Sequence, residues 1–280
     1  MELAASYDLC RDVTKTHSKT FYFASLFLPP EKRQAIWAVY AFCRTTDDLV
    51  DTRASNGDPL GALDAWRAHL IDAYDGRPRH EIMTAFADAA ERFSIPIEPA
   101  LDLLAGARRD AVILRYDTYD ELLEYCYLVA STVGLMTSPV LGYEEGALPY
   151  GVALGRAMQM TNILRDVGED ARMGRIYLPA EDLRRFGYTE SDLLAGVIDG
   201  RFVDLMKFEI ARVRAMYEDA SPGIALLAKG SRQTVKVALR LYRGILDEIE
   251  RNAYDVFTLR AYVPLPRKVR TAIVTLLGIS

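Results

Sequence analysis

Cysteine, histidine and tryptophan are scarce in this 280-residue chain, at three, three and two residues, and each scarcity excludes something. Cys10, Cys43 and Cys126 are odd in number and never in a CxxC spacing. That excludes a disulfide framework or a cysteine-rich zinc site and leaves reduced, buried thiols. His17, His69 and His80 have no metal-ligand spacing, and His69 and His80 read as surface residues. No two glycines lie two apart, so there is no GxGxxG dinucleotide turn. There is no GxxxxGK[ST] loop and no serine in a GxSxG elbow. Runs of positive charge are missing too, and with a net charge of −5 the chain is not expected to bind nucleic acid. Its first residues lack the basic start and apolar run of a signal peptide, so a cytoplasmic protein is expected.

What is present reads as helix. Half of the residues are hydrophobic and 26% are charged, the balance of an ordinary globular protein with a substantial core. No alternating strand pattern appears, and no linker divides the chain. The expected architecture is all-α, with residues 1–280 as one domain. Pro29-Pro30 opens a helix to Asp51. Asp58 caps the next, with Pro59 at its first position and Leu63, Trp66, Leu70 and Tyr74 as its apolar stripe; Gly76-Arg77-Pro78 stops it. Further helices carry Ile82, Phe86 and Phe93, then Ile97, Leu101 and Leu104. Thr118 and Glu121 form a capping box. It opens a helix without charge between Glu124 and Glu144, ended by Gly142. That stretch is long enough to span a bilayer, but its Ser, Thr, Gly and Pro content and its lack of basic flanks favour a buried helix lining an apolar pocket. Pro149 starts the following helix, and two more run over 202–219 and 231–252. Residues 110–119 and 176–189 read as loops.

Two acidic clusters stand out. Asp47 and Asp51 lie four apart, as do Asp166 and Asp170, so on helices each pair shares one face. Acidic pairs at this spacing are common on solvated surfaces. Here the neighbours are apolar: Val39, Phe42 and Val50 around the first, Ile163, Leu164 and Val167 around the second. Two carboxylates ~6 Å apart in a partly desolvated groove repel by roughly 3 kcal/mol. Arg44 and Arg165 offset part of this, and a cation offsets more. Oxygen-only ligands suit hard divalent cations, and Mg²⁺ prefers a few carboxylates plus the oxygens of a bound phosphate.

Metal-binding carboxylates, scattered cations and an aromatic, apolar interior together suit the ionisation of an allylic diphosphate. Metal and arginine stabilise the departing diphosphate. Apolar walls keep water from the carbocation, and aromatic faces stabilise it. Tyr40, Tyr125, Tyr127, Tyr177 and Tyr242 are the aromatic candidates, although most tyrosines at helical spacing are core. His17-Ser18-Lys19-Thr20-Phe21 reads either as a phosphate grip or as a polar helix terminus.

These segments, in this order, resemble the head-to-head isoprenyl diphosphate synthases, the squalene and phytoene synthases. The resemblance runs from about Thr14 to Pro266. It rests on His17 to Phe21, Tyr40 to Asp51, Tyr125 to Gly134, Gln159 to Asp170, Gly174 to Pro179, Tyr242 to Asp247 and Arg260 to Pro264. It implies that Asp47, Asp51, Asn162, Asp166 and Asp170 hold Mg²⁺, with Mn²⁺ as an alternative, against the substrate diphosphates. It implies substrate contacts for Ser18, Lys19, Phe21, Tyr40, Arg44, Gln159, Asn162, Arg165, Tyr177 and Tyr242. It further implies a helical bundle of the isoprenoid-synthase type with a central apolar cavity between the two acidic helices, proton handling by Tyr125 and a prenyl tunnel lined by Val129, Val133 and Gly134.

The implied reaction joins two prenyl diphosphates through a cyclopropyl diphosphate. Ionisation and rearrangement of that intermediate, followed by proton loss, give phytoene from two geranylgeranyl diphosphates. The segments Gly174 to Pro179 and Arg260 to Pro264 look more like phytoene synthases than squalene synthases, so no NADPH is expected. Squalene or dehydrosqualene synthesis from farnesyl diphosphate is the alternative. A terpene cyclase is a further one, set against by the aspartates at 166 and 170, where cyclases carry Ser or Thr and then Glu. A catalytically silent scaffold would have lost metal ligands that are intact here. Peripheral attachment at the inner membrane surface is expected for an enzyme that releases a long hydrocarbon.

Overall fold

A computed structural model describes residues 2–51 and 57–277, with Asp51 described by its backbone alone. Among these residues there are fourteen α-helices and no β-strand. In chain order they are α1 (Leu3–His17), α2 (Lys19–Ser25), α3 (Pro30–Asp51), α4 (Pro59–Tyr74), α5 (Glu81–Phe93), α6 (Glu98–Asp110) and α7 (Tyr119–Cys126). After a π-helical segment, Tyr127–Ser131, come α8 (Thr132–Leu141), α9 (Leu148–Arg172), α10 (Ala180–Arg185), α11 (Glu190–Leu194) and α12 (Gly200–Ala220). A 3₁₀ turn, Ser221–Leu226, leads to α13 (Lys229–Arg251) and α14 (Leu265–Leu276).

The helix signals act where the sequence puts them. The Asp58 carboxylate accepts from the Gly61 backbone N–H at 3.0 Å, with Pro59 in the first turn. Thr118 and Glu121 close both bonds of their capping box. Gly142 ends α8 at a φ of 77°, which an L side chain rarely adopts. Losing such a cap costs about 1 kcal/mol.

Several expectations need correction. The stretch over 176–189 is not all loop, because it contains α10. Glu181 and Asp182 in its first turn and Arg184 and Arg185 in its last complement the helix dipole, which suits a helix too short to show a period. His69 and His80 are half-buried rather than on the surface. His80 caps α5 through Nδ1, which accepts from the Ile82 N–H, and its ring stands edge-on to Trp66 at 4.9 Å. Burial and the neighbouring His69 lower its pKa, in keeping with a neutral acceptor. The charge-free helix is interrupted by the π-helical segment. All three cysteines are buried and free, and no helix among the described residues is long and apolar enough to cross a membrane.

Two apolar cores form. One gathers α9, α12 and α13 around Met160, Leu164, Phe202, Ile210 and Leu246. The other gathers α1 and α3 to α6 around Phe42, Trp66, Met83, Phe86 and Leu103. In the second, Phe42 stacks on Phe86 at 4.7 Å. The indole N–H of Trp66 donates to Thr46 at 3.0 Å, so the ring is buried without leaving its polar atom unsatisfied. Helix α8 packs against α3, α6 and α9 and so lies between the two cores.

Candidate active site

A cavity of about 1540 Å³ lies where the two cores face each other. Its direction follows from the helices. The Lys32 ammonium at the start of α3 donates to the Leu141 carbonyl at the end of α8, at 2.7 Å, so these helices run antiparallel. One end of the cavity is therefore walled by Ile36 and Leu141. The other holds Asp47 and Tyr125. Tyr125 and Leu141 are sixteen residues apart, roughly 24 Å along a helix. Along α9 the wall changes in the same sense, from Leu154 and Met158 to Asn162, Asp166 and Asp170. The cavity has an acidic end and an apolar body.

The structure brings nearly all the expected site residues to this cavity. Ser18, Lys19, Phe21, Tyr40, Arg44 and Asp47 line it from α2 and α3 and the joint before α2. Tyr125, Val129, Val133 and Gly134 line it from α7, the π-helical segment and α8; Gln159, Asn162, Arg165, Asp166 and Asp170 from α9; and Tyr177 and Tyr242 from beyond. The side chain of Asp51 lies outside the described residues. Tyr127 does not line the cavity; Arg156 lies over its ring at 5.9 Å. His17 fits both of its readings, as the last residue of α1 and as part of the cavity wall.

The carboxylates at the acidic end are not equivalent. Asp166 is clamped by Arg165, with Nε to Oδ1 at 2.9 Å and a second contact from Nη2, and Arg260 reaches it at 3.2 Å. It is not an unpaired carboxylate awaiting a metal. Asp170 is the crowded one. Burial, then Asp166, Asp110 and Glu169, push its pKa up to about 7 against the pull of Arg175. Among the described residues no three His, Cys, Asp or Glu side chains converge as a ready metal cage. The donor set nonetheless fits a hard cation. It is oxygen-only, it faces the cavity, and its crowding at Asp170 is what a cation would relieve. A cation shared with a diphosphate needs only one or two carboxylates from the protein.

Beside the acids lies an aromatic stack. The ring of Tyr177 is 5.3 Å from that of Tyr125 and 5.9 Å from that of Tyr116. The Tyr177 hydroxyl donates to Asp110, which also pairs with Arg175 at 3.5 Å. Burial, followed by Tyr177 and Asp110, raises the Tyr125 pKa far above its ordinary value, so its phenol stays neutral. Across the cavity Phe21 stacks on Tyr40 at 5.2 Å. Asp110, Arg175 and Arg260 were not among the expected site residues. Arg175 and Arg260 lie in segments that carried the resemblance, whereas Asp110 ends a helix in the ordinary run Arg108-Arg109-Asp110 and gives no signal of its own.

The comparisons with known proteins agree with this geometry. Residues 14–267 match the family model described as squalene/phytoene synthase. The 15-cis-phytoene synthase of Synechocystis sp. is 49% identical over 94% of this chain and 82% of its own length. The crystal structure of a dehydrosqualene synthase in complex with a ligand superposes with a TM-score of 0.93 at 34% identity, covering 99% of this chain and 97% of that one. The squalene synthase HpnC from Alicyclobacillus acidocaldarius superposes with a TM-score of 0.83 at 30% identity, covering 90% and 96%.

Proposed function

The chain belongs to the squalene/phytoene synthase family, and on that premise we propose that it condenses two geranylgeranyl diphosphates head to head into phytoene. The observation that carries the reaction class is one cavity with two acidic helices at one end and an apolar body beyond them. The chain length of the substrate is supported by relatives 44–49% identical that are named phytoene synthases. We take residues 1–280 to act as one unit, because both cores wall the same cavity.

In this reading Arg44, Arg165, Lys19 and Ser18 bind and orient the diphosphates, and Gln159 and Asn162 complete the polar rim. Family members depend on a divalent metal. Mg²⁺, with Mn²⁺ as an alternative, would be held by Asp47, Asp51, Asn162, Asp166 and Asp170 and would supply charge stabilisation to the departing diphosphate. Phe21, Tyr40 and Tyr242 turn aromatic faces toward developing positive charge. Val129, Val133 and Gly134 border the prenyl chains and exclude water. In the last step a C–H bond of the rearranged cation breaks and its electron pair becomes the central double bond. Tyr125 accepts that proton as its own passes to Tyr177, whose proton passes to Asp110. Nothing in the step consumes a reductant, so NADPH is not required.

A second reading, synthesis of a C₃₀ product from farnesyl diphosphate, rests on the dehydrosqualene synthase superposition. One incubation separates them. The purified protein is given each prenyl diphosphate with Mg²⁺, with and without NADPH, and the hydrocarbon is identified. Phytoene from geranylgeranyl diphosphate without NADPH is expected. Exclusive C₃₀ product from farnesyl diphosphate would replace this reading with the second.

A further inference from the structure

Helix α14 buries a mixed face against α13 and leaves an apolar one without a packed helix among the described residues. Ala272 and Thr275 are buried on the side toward α13, one turn apart, with Lys268 a turn before them. Leu265, Val269, Ile273 and Leu276, at spacings of four, four and three, form a second stripe that is 65%, 41%, 51% and 43% exposed. A helix in water seldom leaves four large aliphatic residues in line.

Two further observations say what covers this stripe. The first is continuity with the cavity. Leu265 at the head of the stripe, Tyr262 just before it (68% exposed) and Leu26 after α2 all line the cavity while facing solvent, so they mark its opening. The second is charge. Between Val256 and Leu277 the chain has no acidic residue, and of its four cations Arg260 pairs with Asp166 and Glu169, Arg267 pairs with Glu248 and Lys268 is buried, which leaves Arg270 to face solvent. Arg270 is exposed beside the stripe, and Lys19, on α2, faces Lys268 across the opening. An apolar stripe flanked by cations, on a helix lying at the surface, is the form that enters an anionic lipid interface in-plane.

We propose that the exposed stripe of α14, with Tyr262 and Leu26, docks on an anionic lipid surface and seals the cavity opening against it. This rests on the reading that the product is a long hydrocarbon. Such a product leaves the apolar body for acyl chains without crossing water.

The test is flotation of the purified full chain with vesicles of phosphatidylcholine alone or of phosphatidylcholine with phosphatidylglycerol. Turnover is measured in parallel in detergent micelles. The unaltered protein is expected to float with anionic vesicles. The double variant Val269→Glu, Ile273→Glu, neither residue lining the cavity, is expected to bind them at least about tenfold more weakly, with micellar turnover retained. Arg270→Glu is expected to weaken flotation on anionic vesicles and not on neutral ones, and serves as a milder variant should the double one unfold. Flotation unchanged in both variants would overturn the docking surface and leave the reaction standing. Lost flotation in variants of a protein that turns over neither prenyl diphosphate would keep the surface and remove the reaction. A protein that ignores vesicles but is dimeric, and becomes monomeric in the double variant, would show that a second copy covers the stripe and would likewise overturn the proposal.

Discussion

The ring of Tyr125 lies on that of Tyr177, with centroids 5.3 Å apart and 24° between their planes, and the Tyr177 hydroxyl continues to Asp110. One face of the cavity thus ends in neutral phenols backed by a carboxylate that is itself held by Arg175. A proton can be handed along this line, and the stack keeps the rings in place whether or not the hydroxyls are present.

Tyr125→Phe is therefore expected to fold normally and to lose most of its overall turnover, roughly a hundredfold. Closing the cyclopropane also releases a proton, and the departing diphosphate can accept it, so the first condensation proceeds without that hydroxyl and the cyclopropyl diphosphate should accumulate. Product chromatography reads this directly. Normal hydrocarbon output from the variant would remove Tyr125 from proton transfer.

Asp166→Asn and Asp170→Asn are both expected to abolish activity but to differ in stability. Removing the Asp166 carboxylate takes the ion-pair partner from the half-buried Arg165 guanidinium, at a cost of about 1–3 kcal/mol. Removing that of Asp170 relieves crowding, so this variant should melt no lower than the unaltered protein near neutral pH. Parallel thermal unfolding decides it, and equal losses in both would contradict the pairing described here.

Gly155→Ala should destabilise the fold out of proportion to one methyl group. A Cβ there would meet Ser131 Cα at 2.6 Å and the Ala130 carbonyl oxygen at 2.7 Å, backbone atoms that cannot swing aside. Overpacking of this kind costs roughly 1–3 kcal/mol. Urea unfolding should show a lower midpoint with unchanged slope; an unshifted midpoint would mean that α9 and the π-helical segment separate freely.

Glu209 predicts a pH dependence far from the active site. Fully buried beside Asp182 and paired with Arg212 at 3.2 Å, it is pushed by burial from its ordinary value of 4.5 up to about 8, against the pull of Arg212. Its folded pKa is raised, so between about 4.5 and about 8 the folded chain holds more protons than the unfolded one. This residue's contribution to stability is then present at the acid side of that window and is lost as pH rises through it. Glu209→Gln should flatten that part of the curve in chemical unfolding from pH 5 to 9. An unchanged slope would assign the dependence to other groups.

Much of this was legible because it is local. The capping box at Thr118 and Glu121, the cap at Asp58 and the i, i+4 acids at 47 and 51 or 166 and 170 each lie within one or two helical turns, where a side chain meets only its own neighbours. The all-α class followed from helical period and the absence of alternation. What was missed depends on distance in sequence. Asp110 acquires its role from Tyr177, 67 residues away, and Asp166 is additionally held by Arg260, 94 residues away. Neither pairing has a signature near the residue itself. Helices α10 and α11, of six and five residues, are too short for a periodic stripe. The half-burial of His80 depends on Trp66 of the preceding helix, which a pattern read within one helix does not include.

The π-helical segment between α7 and α8 settles a problem of angular drift. Tyr125, Val129, Val133, Thr137 and Leu141 face the cavity at intervals of four. In an uninterrupted α-helix each such interval overshoots a full turn by about 40°, so the row would wander about 160° around the helix and leave the cavity. One wide turn at Tyr127–Ser131 takes up an additional residue and sets the phase back by about 100°. Tyr125 and the apolar wall at Val129, Val133 and Leu141 are thus kept in phase by a single local irregularity. A one-residue deletion there would leave a longer and more regular helix, and would rotate Tyr125 out of the cavity wall.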